Sequence, residues 1–293
     1  MLDFERLREL RAHHPSAVAE AAASRRRRPL LRRDGRLMLV AADHPARGAL
    51  GVRGVPDAMA DRYDLLRRLV TTLERPGVDG LLGTPDIVED LLLLGALDGK
   101  VVVGSMNRGG LAGTAFEIDD RFTGYDAAAI AAKGLEGGKM LLRIDPDDPA
   151  TVATVEACAH AVSELAANGL MAMVEPFIAH RVDGRVRIDL SSEATVRAMT
   201  VAAGLGTTSA YTWLKVPVVA EMERVMAAAT LPALLLGGEV SADQEAAFAR
   251  WRKALKLPTV CGMVIGRSLL YPPDDDVAAA VDAAVGLLQE GSA

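Results

Sequence analysis

Short apolar runs recur along this chain, and the stretches between them carry apolar residues at three- and four-residue spacing. The first pattern suits strands buried on both faces, and the second suits helices with one buried stripe. Strands are expected over 37–43, 78–83, 100–107, 139–145, 170–178, 213–218, 233–239 and 259–266. All but the last two should lead into a helix of roughly one to two dozen residues, the alternation of a parallel sheet with crossover helices. Asp148 and Pro149 supply an N-cap and a first-turn proline for a long alanine-rich helix. Ser241 to Gln244 reads as a capping box ahead of Phe248, Trp251 and Leu255, which share one helical face, and 277–288 reads as the last outer helix. Eight strands joined by right-handed crossovers predict an α/β fold, a single (β/α)8 TIM barrel over 36–293 behind a helical, basic N-terminal extension over 1–35. An open doubly wound sheet is the alternative, weakened because no Gly-x-Gly-x-x-Gly follows the first strand.

Composition narrows the function classes. Of 293 residues half are hydrophobic and a quarter charged, with a net charge of −6, which argues against a nucleic-acid partner. No apolar run reaches the length of a membrane span, and the charged N-terminus lacks an apolar signal core, so a cytoplasmic protein without a membrane partner is expected. Cys158 and Cys261 fall singly in a helical and a strand-like pattern, which gives neither a disulfide framework nor a zinc site. The five histidines (13, 14, 44, 160 and 180) are scattered, so no metal or other cofactor is expected. The run Arg25 to Arg28, followed by Arg32, Arg33 and Arg36, reads as a solvated edge or subunit contact, with an anion-binding patch as the alternative. Barrel enzymes commonly oligomerise, so a homo-oligomer is expected.

The basic residues sharpen the picture further. Only six of the 33 are lysine, so a lysine inside an apolar strand asks for a reason. Chemistry in a barrel collects at the C-terminal strand ends, and side chains of one parity point inward. Asp43 closes the first strand. Lys139, Leu141, Arg143 and Asp145 share one face of the fourth, and Glu175 is the inward carboxylate of the fifth. Lys215 is the one charge in the sixth, Trp213-Leu-Lys-Val-Pro-Val-Val219. Desolvation and a second ammonium from Lys139 are expected to lower its pKa and free an amine for attack on a carbonyl. Structural ion pairs inside the barrel, or a lysine snorkelling at the strand end, are the plainer readings. Gly237, Gly238, Gly266 and Arg267 follow the seventh and eighth strands, where barrel enzymes often bind phosphate.

Six motifs in chain order resemble a known family. Asp43 with Arg47-Gly-Ala-Leu50, "KMLLRIDPDD", "MVEPF", "LKVPVV", "GGEVS" and "GMVIGRSLLYP" span about 36–272 and resemble the DeoC/LacD group of class I aldolases, particularly tagatose-bisphosphate aldolase. The resemblance implies Lys215 as the imine-forming lysine, Lys139 as its pKa tuner, Glu175 as proton shuttle and Asp43 as a group orienting substrate oxygens. It implies a phosphate grip by Gly237, Gly238, Gly266 and Arg267. Two departures point away from the tagatose substrate: His44-Pro45-Ala46 lies between Asp43 and Arg47, and Arg143 stands in place of an aromatic residue. The chain is most similar in texture to the aldolase-like barrels of actinobacterial myo-inositol catabolism. That implies cleavage of 2-deoxy-5-keto-gluconate 6-phosphate to dihydroxyacetone phosphate and malonate semialdehyde, with Arg143 facing the substrate carboxylate and Arg47 in the binding wall. The alternatives are an aldolase for another sugar phosphate, a transaldol transfer on the same lysine, a metal-dependent aldolase, and a non-catalytic sugar-phosphate-binding barrel.

Overall fold

The computed structural model of the chain describes residues 2–237 and 244–291. Helices α1 (Phe4–His13) and α2 (Ala17–Ser24) precede strand β1 (Leu37–Ala41). Then follow α3 (Arg62–Glu74), β2 (Gly80–Gly83), α4 (Pro85–Leu93), β3 (Val101–Ser105), α5 (Ala127–Ala132), β4 (Gly137–Ile144) and α6 (Ala150–Ala167). The second half contains β5 (Met171–Val182), β6 (Arg185–Asp189), α7 (Ser192–Ala203), β7 (Thr212–Pro217), α8 (Met222–Met226) and β8 (Ala233–Leu236). It ends with α9 (Gln244–Ala254), β9 (Val260–Ile265), α10 (Arg267–Leu270) and α11 (Val277–Glu290).

Eight of the strands are parallel and close on themselves, because β4 pairs with both β3 and β5 and β1 pairs with both β2 and β9. The fold is therefore the expected (β/α)8 barrel. Inward parity follows the sequence. Leu37, Leu39, Ala41, Val101, Val103, Met171, Met173 and Trp213 pack together in the lumen. The alternate residues Met38, Val40, Met140, Leu142, Val174 and Val216 meet the helices. All are essentially dry, and this burial of apolar surface is the main drive to the fold.

Three expectations need correction. First, the crossovers are uneven: α5 has 6 residues and α8 has 5, where helices of a dozen or more were expected. Residues 106–126, which β3 leads into, form a long loop instead, crossed by the bridge between Asn107 and Phe122. Second, the fifth strand does not stop at 178. It runs on to Val182 and turns back as β6, antiparallel to it. The turn is Asp183-Gly184, both at positive φ (50° and 74°), the pair that a two-residue hairpin turn favours. That dipeptide was the available signal.

Third, the arginine run is only in part the expected solvated edge: Arg26, Arg27, Arg32 and Arg33 are exposed, but Arg25 and Arg28 turn inward and the run is tied to buried carboxylates. Arg25 is buried, donates to the carbonyls of Lys100 and Gly134, and pairs with Glu136 at 3.0 Å. Arg27 reaches the same carboxylate at 2.9 Å, while Arg28 and Arg32 both hold Asp79. Leu30 and Leu31 press against the lumen core. The segment thus closes the N-terminal end of the barrel. The rest of the extension is also tied in: Arg11 pairs with Glu89 and Asp90 of α4, and the Phe4 and Tyr63 rings lie 4.8 Å apart. The expected capping box at 241–244 lies largely outside the described residues. No helix among those described is long and apolar enough to cross a membrane.

Candidate active site

The polar lumen begins where the apolar layers end. Continuing the inward parity of β1 past Ala41 leads to Asp43, and the same step on β4 leads to Lys139 at the level of Met173 on β5. Glu175 stands next in register beyond Met173, and Lys215 follows Trp213 two residues on along β7. These four side chains meet. Lys215 Nζ lies 2.7 Å from Glu175 Oε1, and Lys139 binds the other oxygen of that carboxylate. Lys139 Nζ also donates to Asp43 Oδ2 at 3.0 Å. Lys139 and Asp43 have about 1% of their side chains exposed and Lys215 4%, so this is a dry network.

Electrostatics inside it are strongly biased. Burial alone would raise the Asp43 carboxyl, but Arg108, Lys139, His44 and Lys215 outweigh it and hold Asp43 well below the usual range. Glu175 behaves likewise: burial opposes its charge, yet Lys139 and Lys215 carry its pKa down to about 2. Lys139 moves down, chiefly by burial and then by Arg108, against the pull of Asp43 and Glu175. A second ammonium was expected to be the neighbour that governs Lys215. Its hydrogen-bond-distance partner is the Glu175 carboxylate.

Around this network opens a cavity of about 550 Å³ at the C-terminal strand ends, a size suited to a small metabolite. Its floor and walls include all four residues above together with Arg47, Arg143, Gly237, Gly266 and Arg267. The nine expected site residues that are described therefore share one cavity. Gly238 lies outside the described residues. Among the described residues Arg267 has no carboxylate partner, and it donates to the Gly51 carbonyl at 3.2 Å. The two glycines also have a packing cause. A Cβ on Gly237 would sit 2.6 Å from the Ile265 side chain, and one on Gly266 would sit 2.8 Å from the Ala41 carbonyl oxygen. Close-packed strand ends would require them whether or not an oxyanion binds there.

Arg143 faces the cavity as expected and already carries two carboxylates. Its Nε and Nη2 fork onto Asp120 at 2.8 Å each, Nη1 reaches Glu117 at 3.1 Å, and Nη2 also donates to the Glu117 carbonyl. It ties the 106–126 loop to the barrel wall. These bonds use four of its five N–H donors and leave one N–H of Nη1 for a ligand.

Several residues were not singled out in the sequence. Val101 and Val103 point inward, so the same parity carries Ser105 and Asn107 into the lumen. Ser105 Oγ donates to Asp43 at 3.2 Å. Asn107 clamps β4 by donating to the Leu141 carbonyl (2.6 Å) and accepting from its N–H (2.7 Å). Arg108 follows, buried, 3.3 Å from Asp43 Oδ2. Strand parity would have found the first two; the third depends on how the loop bends. His44 also lines the cavity, with Nδ1 unbonded among the described residues and 3.7 Å from Asp43. Burial, reinforced by Arg267, Lys215 and Arg108 against the pull of Asp43, pushes its pKa down to about 3. The β5–β6 hairpin adds Val186, Arg187 and Ile188 to one wall.

With this geometry in place, likeness to known proteins is informative. The chain belongs to the Cgl0159-like family, whose model matches residues 35–285. It is 56% identical to the crystal structure of Cgl0159 from Corynebacterium glutamicum, with 98% of this chain and 96% of that one covered and a TM-score of 0.96. More distant likeness reaches an archaeal fructose 1,6-bisphosphate aldolase (18% identity, 92% and 98% covered, TM-score 0.64). A Schiff-base-forming fructose-1,6-bisphosphate aldolase is similarly placed (18%, 92% and 99%, 0.66). At that identity the likeness shows the shared barrel fold alone. No curated protein matches the chain.

Proposed function

We propose that this member of the Cgl0159-like family is a class I aldolase in which Lys215 forms a Schiff base with the ketone of a phosphorylated keto-sugar or keto-sugar acid. The observation that carries the reading is a buried lysine at the C-terminal end of a barrel strand, 2.7 Å from a carboxylate that also holds a second buried lysine. The barrel shared with Schiff-base-forming aldolases is consistent with it.

In the proposed cycle the proton of Lys215 passes to Glu175, whose other oxygen accepts from Lys139. The free amine adds to the ketone carbon, and the carbinolamine hydroxyl takes up a proton and leaves as water. The protonated imine then draws in the electron pair released when the carbon–carbon bond breaks. Glu175 or Asp43 receives the hydroxyl proton of the fragment that leaves as aldehyde. The enamine is reprotonated at carbon, and water hydrolyses the imine to release dihydroxyacetone phosphate. Asp43, held ionised by Lys139 and Arg108, suits an orienting acceptor for substrate hydroxyls. Arg267, with Gly237 and Gly266, suits the phosphate, whose binding away from the reacting carbons fixes their orientation.

Within this class the substrate proposed is 2-deoxy-5-keto-gluconate 6-phosphate, cleaved to dihydroxyacetone phosphate and malonate semialdehyde. Support comes from the sequence's resemblance to the aldolase-like barrels of myo-inositol catabolism and from the excess of cations in the cavity. Borohydride reduction in the presence of dihydroxyacetone phosphate should leave a stable adduct on the Lys215 peptide. A protein that binds the ester yet gains no adduct would be a binding barrel instead. EDTA should leave turnover unchanged.

A further inference from the structure

Charge at the cavity is out of proportion to a single phosphate. Among the described residues seven cationic side chains line it against three carboxylates, with Asp120 behind the wall answering Arg143, in a chain whose net charge is −6. A phosphate ester brings a charge of about −1.5 to −2 at neutral pH, so a phosphate alone leaves about one positive charge unanswered.

The surplus has a location. Around the closed sheet the strands run β1, β2, β3, β4, β5, β7, β8, β9, so the end of β3 lies four places from the end of β8. Arg108, just past β3, thus faces Gly237 across the barrel mouth. Its guanidinium is fixed on one side: Nε donates to the Asn107 carbonyl at 2.8 Å, and Nη1 lies 3.4 Å from the Asp43 carbonyl and 3.3 Å from its carboxylate. The Asn107 clamp on Leu141 holds the backbone from which it projects. On the other side Nη2 is buried with no hydrogen-bond partner among the described residues. A buried donor without an acceptor is expensive and uncommon, and a ligand oxygen is one way to satisfy it. Arg47 stands in the same wall with only long contacts, 3.4 Å to the Gly110 carbonyl and 3.7 Å to Glu117. Arg143, by contrast, has four of its five N–H donors committed to Asp120 and Glu117.

We infer that Arg108, assisted by Arg47, is the seat for a second oxyanion of the substrate, a carboxylate at the end of the carbon chain remote from the phosphate. The inference rests on the phosphate seat of the proposed function and moves the carboxylate contact from Arg143 to the β3 side of the mouth. Specificity for a keto-sugar acid over a keto-sugar then comes from one fork-shaped cation, pre-set by Asn107, whose free edge only a charged acceptor fully answers.

Two unreactive probes of equal length test this, 6-phosphogluconate and glucitol 6-phosphate, which differ at the end away from the phosphate. By calorimetric titration the parent should bind the acid at least about tenfold more tightly, as expected of a charge-assisted bond in a desolvated site. In Arg108→Gln the preference should fall to within about threefold, whatever that change does to the affinity for glucitol 6-phosphate itself. A parent that binds both equally overturns the inference. So does an Arg108→Gln variant that weakens both in proportion, since Arg108 would then serve only to hold Asp43. Neither probe has a ketone, so failure of the Schiff-base reading appears separately, as a missing Lys215 adduct with an intact preference. If neither phosphate ester binds, the phosphate seat itself fails, and the inference with it.

Discussion

The two ends of this barrel are built from the same side chains and put to different use. At the N-terminal end Asp79 and Glu136 each give an oxygen to a strand backbone, Asp79 to the Met38 N–H at 2.8 Å and Glu136 to the Val102 N–H at 2.8 Å. The arginines of the N-terminal segment meet those same carboxylates and the carbonyls of Lys100 and Gly134. At the C-terminal end, among the described residues, Asp43 and Glu175 accept only from other side chains: Ser105, Lys139, Arg108 and Lys215. Bonds to backbone lock strand positions and cannot be exchanged without unfolding the end of a strand. Bonds between side chains around a cavity can be remade with a ligand. Buried charge alone therefore does not mark a site, whereas buried charge whose partners could be replaced does.

This contrast is open to direct attack. The largest expected effect is at Lys215. Lys215→Met should lower turnover by about 10³-fold or more and abolish borohydride trapping, because the covalent step has no substitute. The methionine fills the apolar lumen, so the variant should remain folded by circular dichroism; unchanged turnover would mean a structural ion pair. At the opposite end, Glu136→Gln should cost about 3–5 kcal/mol in urea unfolding, the range for breaking a buried pair, with kcat per folded molecule unaltered. A variant that keeps its stability and loses turnover would reverse the assignment of the two ends.

Glu175→Gln should lower kcat by about 10²-fold through loss of a proton carrier between the lysines. KM should change much less. A smaller effect concerns pH. The folded His44 has a pKa near 3 against 6.5 for an unperturbed histidine, so the unfolded chain takes up a proton that the folded chain refuses. Stability is thus lost as pH falls from 6.5 towards 3. His44→Gln removes that contribution. Between pH 7 and 4 its unfolding free energy should fall less than the parent's, by up to about 3 kcal/mol, and equal slopes would show that the imidazole titrates freely.

Legibility in the sequence followed the range of the interaction. The alternation of strands and helices, the inward parity and the placing of Asp43, Lys139, Glu175 and Lys215 at one end were readable, because a strand's period of two is local and the lumen is apolar enough for a charge to stand out. Ser105 and Asn107 obey the same parity and were within reach. The Asp183-Gly184 turn was likewise a local signal, hidden because β5 outruns the barrel wall. The inward pairing of the arginine run was missed for a different reason: its partners Glu136 and Asp79 lie about 110 and 50 residues away in the chain, and nothing in the run itself names them.

The sequence by itself determined which strand residues face inward and which of them bear charge, since both follow from backbone geometry and hydropathy one residue at a time. Only the tertiary structure decided who answers whom: that Arg143 is paired with Asp120 and Glu117, that Arg108 keeps a free edge, and that Lys215 meets a carboxylate. Those pairings depend on where loops from different strands converge, and closure of the barrel brings together charges that are remote in the chain.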